Sequence, residues 1–129
     1  YWAKNPHVPG YKAIGGILLD MVGSKNARFA LEGNSRQYAG GIHQGVWDAA
    51  SKAGSSSYFV FEQGATITDD HVPVNEIARI PTIDIIDLPA NTNTGFAHYW
   101  HTTKDDMSNV DKNTLKAVGQ TLLHYIYTL

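Results

Sequence analysis

Apolar residues along this chain fall into two kinds of run, and the two kinds predict different elements. Residues 13–20 (AIGGILLD) form an apolar stretch without strict alternation, ending on Asp20 before the turn-like Val22-Gly23-Ser24. A short continuous run predicts a strand buried on both faces, as in a largely parallel sheet. A second short strand is predicted at residues 28–32, ahead of Gly33-Asn34-Ser35. From Arg36 to Ala53 the period changes: Tyr38, Ile42, Val46, Ala49 and Ala53 recur at helical spacing. Ser35 is the expected N-cap of this helix and Gly54 its stop. Gly40, Gly41 and Gly45 each cost about 1 kcal/mol of helix propensity relative to Ala, a cost that close packing on the sheet would offset.

Further along, residues 57–62 (SYFVFE) are aromatic and β-branched and predict a strand, as do residues 82–87 (TIDIID) after Pro81. Between them, Asp69 or Asp70 can cap a short helix over residues 74–78. Residues 91–97 (NTNTGFA) read as a polar loop. The last helix is predicted from an Asp111 N-cap to about Tyr127, with Leu115, Val118, Leu122, Tyr125 and Ile126 as its apolar stripe. Strands alternating with helices predict an α/β fold: a three-layer domain with a mostly parallel central sheet flanked by helices. No repeat, low-complexity tract or linker interrupts residues 1–129, so one domain is expected. The opening Tyr1-Trp2-Ala3-Lys4-Asn5-Pro6 reads as the tail of a helix stopped by proline, which suggests a start inside a longer protein.

Composition narrows the function. The 129 residues are 43% hydrophobic and 17% charged, as in a folded globular chain rather than a disordered one. Lys and Arg number 10 against 12 Asp and Glu, and no basic stripe argues for nucleic acid. No apolar run approaches the ~20 residues of a membrane span. Cysteine is absent, so any metal must be held by His, Asp or Glu.

Three places gather polar groups where an open α/β sheet puts its ligands, at the carboxyl ends of strands. Asp20 ends the first strand; it is either a turn-forming carboxylate or part of a site. Thr68-Asp69-Asp70-His71 sets two acids beside a histidine, a repulsive arrangement unless a metal or a substrate ammonium is near. The same acids can equally cap the short helix. His101 lies among aromatics and acids, where a neutral imidazole can bind metal and Asp105 or Asp106 can accept from its second nitrogen. Taken alone, His101 can equally be a surface or partly buried histidine. Asp84, inside a predicted strand, is a candidate for a buried hydrogen bond. His7, His43, His98 and His124 read as structural, and Trp2, Trp47 and Phe59 as packing residues.

The order of these pieces carries a resemblance. LDMVG after a strand, then DDHVPV and RIPTIDIID, then GFAHYWHTTKDD with a terminal helix, resembles the C-terminal half of zinc-dependent exopeptidases, the family of zinc aminopeptidases and glutaminyl cyclases. The likeness runs from about Gly15 to the end. It implies that His101 is a zinc ligand. It implies that Asp20 binds a second zinc in a two-metal peptidase, or joins a hydrogen-bond network beside one zinc in a cyclase. Asp69 would join that network, and Phe96 and Trp100 would line the substrate pocket. The family also uses an upstream Asp and a Glu-Glu pair. No Glu-Glu pair occurs here, and Glu32, Glu62 and Glu76 stand in other contexts. The remaining ligands of one or two zinc ions are therefore expected before Tyr1, since zinc takes about four. The resemblance implies a peptide substrate attacked at its free N-terminus, and a periplasmic or secreted location. The alternative is a non-catalytic relative that keeps the fold as a binding or scaffolding module.

Overall fold

In the structure, a computed structural model, residues 1–89, 102–103 and 106–129 are described. The predicted loop at 91–97 lies outside them. Strand β1 spans Gly16–Asp20 and β2 Phe29–Leu31; helix α1 spans Gly33–Lys52, β3 Phe59–Gln63, α2 His71–Glu76, β4 Thr82–Ile86 and α3 Lys112–Tyr127. A single 3-10 turn at Met107–Asn109 precedes α3.

Both strand pairs are parallel. β1 pairs with β4 in register from Gly16 opposite Thr82 to Asp20 opposite Ile86. β2 pairs with β3 from Phe29 opposite Phe59. A bridge between Phe29 and Asp87 links the two pairs. All five residues of β4 are buried, which is why its sequence lacks alternation. At Gly16 the backbone approach is close: a Cβ there would meet Thr82 Oγ1 at 2.7 Å. Helix α1 packs on β4 and β3 and against α3, while α2 lies against β4. The layered α/β arrangement of parallel strands flanked by helices is the class expected from the sequence.

The core forms where α1 covers the strands. Phe29, Phe59, Ile83, Ile85, Val46, Trp47 and Val118 are all buried there. Trp47 stands edge-on to Phe59 with ring centres 5.1 Å apart, and its Nε1–H donates to the Val60 carbonyl at 2.9 Å.

Local details depart from the sequence expectation. The buried face of α1 runs through Ser35, Ala39, His43, Val46, Trp47, Ala49 and Ala50, which keeps the predicted Val46 and Ala49 but leaves Tyr38 exposed. Of the helix glycines, Gly45 serves packing against α3 rather than the sheet: a Cβ there would meet Tyr125 at 2.8 Å. Gly40 and Gly41 face open space and follow Ala39, where the helix kinks at φ −142°, ψ 43°. On α3, Asp111 caps as expected, accepting from the Asn113 N–H at 2.8 Å. Its buried face is Thr114, Ala117, Val118 and Thr121, while Leu115 and Ile126 are exposed. Trp2 does not pack into the core. It lines a hollow of about 330 Å³ with His7, Tyr11, Leu18, Asp70 and His71.

Candidate active site

Because the strands are parallel, their carboxyl ends share one edge, and the chain brings its acids there by three routes. Asp20 is the last residue of β1. Asp69 sits in the connection from β3 to α2. Asp84 lies in the middle of β4, opposite Leu18 of β1, and is fully buried. The backbone turns sharply after Asp20, with Met21 at φ 52°, a left-handed conformation that an unbranched side chain adopts at some cost.

The three carboxyls form a chain. Asp69 shares hydrogen bonds with both Asp20 and Asp84 and also accepts from the Asp70 N–H at 2.8 Å. Three carboxylates cannot donate to one another. As carboxylates, Asp69 Oδ2 and both Asp84 oxygens would be buried with no donor. Protonation of Asp84 resolves this. Burial, the hydrogen bond to Asp69 and the charges of Asp69, Asp20 and Glu32 push its carboxyl up to about 9. Asp84 is then the donor and Asp69 the acceptor. Burial would also raise Asp69, but the hydrogen bonds from Asp84 and Asp20 and from the Asp70 N–H hold it below the usual carboxylate range. Asp20 is pushed up to about 6 by burial and by the Asp69 hydrogen bond and charge, against the opposing Met21 N–H. One proton thus sits between Asp84 and Asp69, and a second binds at Asp20 just below neutrality.

Behind the acids lies a histidine and a fourth carboxylate. His71 opens α2 and is buried; its Nε2 is 2.8 Å from Glu32 Oε1 and its Nδ1 3.6 Å from Asp84 Oδ2. Glu32 follows β2 and is the true N-cap of α1, at φ −68°, ψ 144°. Ser35, the expected cap, instead sits in the first turn; its N–H and hydroxyl both donate to Glu32 Oε1, at 2.9 and 2.7 Å. The Ser35 hydroxyl also accepts from the Asp84 N–H at 2.9 Å, tying α1 to β4. Burial would raise Glu32, but donors from His71, Ile67, Asn34 and Ser35 outweigh it and lower its carboxyl to about 2.

The structure therefore brings Asp20 and Asp69 together. His101, Phe96 and Trp100 lie outside the described residues. On the described chain before them, the Leu88 N–H donates to the Arg28 carbonyl at 2.9 Å. After them, Val110 bridges Ser24 in the turn that follows Asp20. Among the described residues, no three His, Asp or Glu side chains are arranged to hold a metal ion. Asp20 and Asp69 are hard oxygen donors, and the buried Asp69 Oδ2 lacks a partner unless a proton or a cation meets it. These acids suit one side of a metal site and need further ligands to complete it.

Comparison with known proteins fixes the family. The sequence profile of peptidase family M28 matches residues 1–126. The chain belongs to peptidase family M28. Within that family it is similar to a glutaminyl-peptide cyclotransferase of Dictyostelium discoideum, at 33% identity over 81% of this chain and 28% of the relative. Its fold matches a Bacteroides thetaiotaomicron glutaminyl cyclase bound to N-acetylhistamine with a TM-score of 0.97, at 55% identity, covering 100% of this chain and 44% of that one. It matches a Zn-dependent exopeptidase from Parabacteroides distasonis equally well, with a TM-score of 0.97 and 54% identity over 99% of this chain and 44% of that one. The M28 chain thus spans less than half the length of these relatives.

Three residues of this M28 site carry only weak signals in the sequence. Asp84, in the sequence only a candidate for a buried hydrogen bond, forms the buried end of the acid chain and donates to Asp69. His71 stands in the sequence as one member of an acidic cluster, and Glu32 stands outside any Glu-Glu pair. No capping box marks it, since Glu32-Gly33-Asn34-Ser35 has the acid and the serine in the reverse of that order.

Proposed function

We propose that the intact protein is a zinc-dependent enzyme acting on the free N-terminus of peptides, and that its reaction is cyclisation of an N-terminal glutamine. The observation that carries this reading is the proton-sharing chain Asp20–Asp69–Asp84 at the carboxyl edge of the sheet. Cyclisation is a proton relocation. The α-amine must be neutral to attack the side-chain amide carbon. The C–N bond to the amide nitrogen then breaks, and that nitrogen must gain a proton to leave as ammonia. A coupled acid chain takes up the first proton and returns the second without bulk water.

The family resemblance assigns the base itself to a glutamate outside these residues and puts Asp20 and Asp69 in the hydrogen-bond network beside the zinc; we propose that this network exchanges the proton of the base. A zinc ion, when bound, supplies polarisation of the reacting carbonyl. His101 is the residue of this chain that would hold it, with Asp20 added if a second ion binds. Phe96 and Trp100 are proposed as the walls that hold the glutamine side chain and exclude water. On the family resemblance we also place the protein in the periplasm or outside the cell, which fractionation of expressing cells tests.

The exopeptidase relative supports a second reading, release of N-terminal residues by hydrolysis. The full-length protein with zinc is assayed on Gln-peptides and on Leu- and Ala-peptides. Cyclisation yields ammonia and a shortened mass from Gln-peptides, with no free amino acid. Robust release of Leu or Ala without ammonia overturns it in favour of the peptidase. Inactivity on both, with zinc bound, leaves the scaffolding module.

A further inference from the structure

Glu32 has no part in the reaction as described, yet it is fully buried and accepts five hydrogen bonds. Its Oε1 accepts from the Ser35 N–H at 2.9 Å, the Ser35 hydroxyl at 2.7 Å and His71 Nε2 at 2.8 Å. Its Oε2 accepts from the Asn34 N–H and the Ile67 N–H, both at 2.8 Å. Capping α1 needs only the Asn34 and Ser35 groups. The bonds to Ile67 and His71 reach 35 and 39 residues along the chain and serve something else.

They flank Asp69. Ile67 lies two residues before it and His71 two after. The same stretch is fastened by the Asn34 side chain, which donates to the Ile67 carbonyl at 3.0 Å, and by the Gly33 N–H, which donates to the Ala65 carbonyl at 3.1 Å. Glu32 also decides the imidazole. An ionised carboxylate only accepts, so His71 Nε2 must carry the hydrogen between them. Nδ1 is left facing Asp84 Oδ2 at 3.6 Å, buried and with no hydrogen-bond partner at normal distance. If that gap closes, Nδ1 accepts the Asp84 proton in place of Asp69, because a ring already protonated at Nε2 offers only a lone pair there.

We propose that Glu32 is a positioning residue for the reaction: it fixes the segment carrying Asp69 and the protonated nitrogen of His71, so that Nδ1 is presented to Asp84. This rests on the cyclase reading for its kinetic part only. An imidazole oriented by a carboxylate on one nitrogen and working through the other is a general device of sites that must hold a proton in place.

The test uses full-length protein carrying Glu32→Gln, His71→Gln or both. Glu32→Gln keeps the shape and removes the charge. We expect kcat on a Gln-peptide to fall about 10–100-fold, with KM moved less than about 3-fold. In metal-free protein labelled with ¹⁵N-histidine, the wild type should show a slowly exchanging, downfield His71 Nε2–H signal. Glu32→Gln should shift or lose it. The double variant should be no slower than His71→Gln, because both act on one link. A folded Glu32→Gln protein with unchanged kcat and an unchanged His71 signal reduces Glu32 to a helix cap and overturns the proposal. So do single effects that simply multiply in the double variant. If Glu32→Gln does not fold, His71→Gln, which leaves the other four bonds of Glu32 in place, must itself lose kcat to the same extent, and full activity there overturns the proposal. If the wild type does not cyclise Gln-peptides, the function reading fails, and the NMR signal alone decides the link.

Discussion

Two buried carboxylates, one at the β2–α1 junction and one in mid-strand of β4, carry opposite charge states although both are fully shielded from water. Glu32 meets five donors and is held at about 2, so it is ionised across the physiological range. Asp84 faces other acids and one distant imidazole nitrogen and is pushed up to about 9, so it is neutral there. Burial pushes both the same way. Donors decide the outcome, since each hydrogen bond to the charged form offsets part of the desolvation cost. A helix start supplies backbone N–H groups in excess. A strand interior has already committed its own to the ladder.

The largest expected effect comes from breaking the Glu32 side. Glu32→Ala in the full-length protein leaves the Asn34, Ser35, Ile67 and His71 donors buried and unpaired, and should cost about 3–5 kcal/mol in denaturant unfolding. A loss below about 1 kcal/mol would mean that water replaces the carboxylate. The pH dependence has a definite sign. Glu32 is lowered from 4.5 to about 2, so its contribution is complete above 4.5 and fades as pH falls toward 2.

Asp84 should behave in the opposite sense. Raised from 3.8 to about 9, it binds a proton that the unfolded chain lacks, so its burial disfavours the fold increasingly as pH rises from 3.8 to 9. Asp84→Asn keeps a donor toward Asp69 and cannot charge. In metal-free protein its unfolding temperature should draw ahead of wild type as pH rises, by a few kcal/mol equivalent at pH 8. Parallel pH curves for the two proteins would show that Asp84 is not neutral in the fold.

His43 extends the comparison to a buried base. Both ring nitrogens lack partners and the ring stands edge-on to Trp47 at 4.6 Å. Burial lowers it from 6.5 to about 4, outweighing the Glu32 charge, so it folds neutral. Stability should therefore fall as pH drops from 6.5 to 4, by up to ~3 kcal/mol from this group. His43→Leu should remove that slope in acid unfolding measurements, and an unchanged slope would assign it elsewhere.

The smallest effect is expected at the exposed rim. Arg28 pairs with Glu62, whose side chain is 68% exposed. Glu62→Gln should change stability by less than about 1 kcal/mol, and less still at high salt. A larger loss would show that the Arg28 bonds to the Leu88 carbonyl and the Asp87 side chain depend on this pair.

Much of the fold could be read in the sequence because it rests on short-range chemistry. The unbroken apolar runs of β1 and β4, the Asp111 cap and the Pro81 boundary each act within a few residues. Boundaries failed where a long-range partner intervened. Ser35 has the chemistry of a cap, but Glu32 is held in place by Ile67 and His71 from another part of the chain, and so becomes the cap itself. The predicted stripe of α1 holds at Val46 and Ala49, which are buried, and fails at Tyr38, whose hydroxyl donates to Glu76 at 3.0 Å while the ring stays exposed.

The sequence by itself determined which residue types were at hand and the order in which a parallel α/β chain would deliver Asp20 and Asp69 to one edge. Family membership was also written there, in motifs spread along most of the chain. Only the tertiary structure decided which acid is charged. Three aspartates and one glutamate have nearly equal intrinsic acidity, and the sequence does not distinguish them. Their protonation follows from how many donors each meets once α1, α2 and β4 have packed, and that is a property of contacts between residues dozens of positions apart.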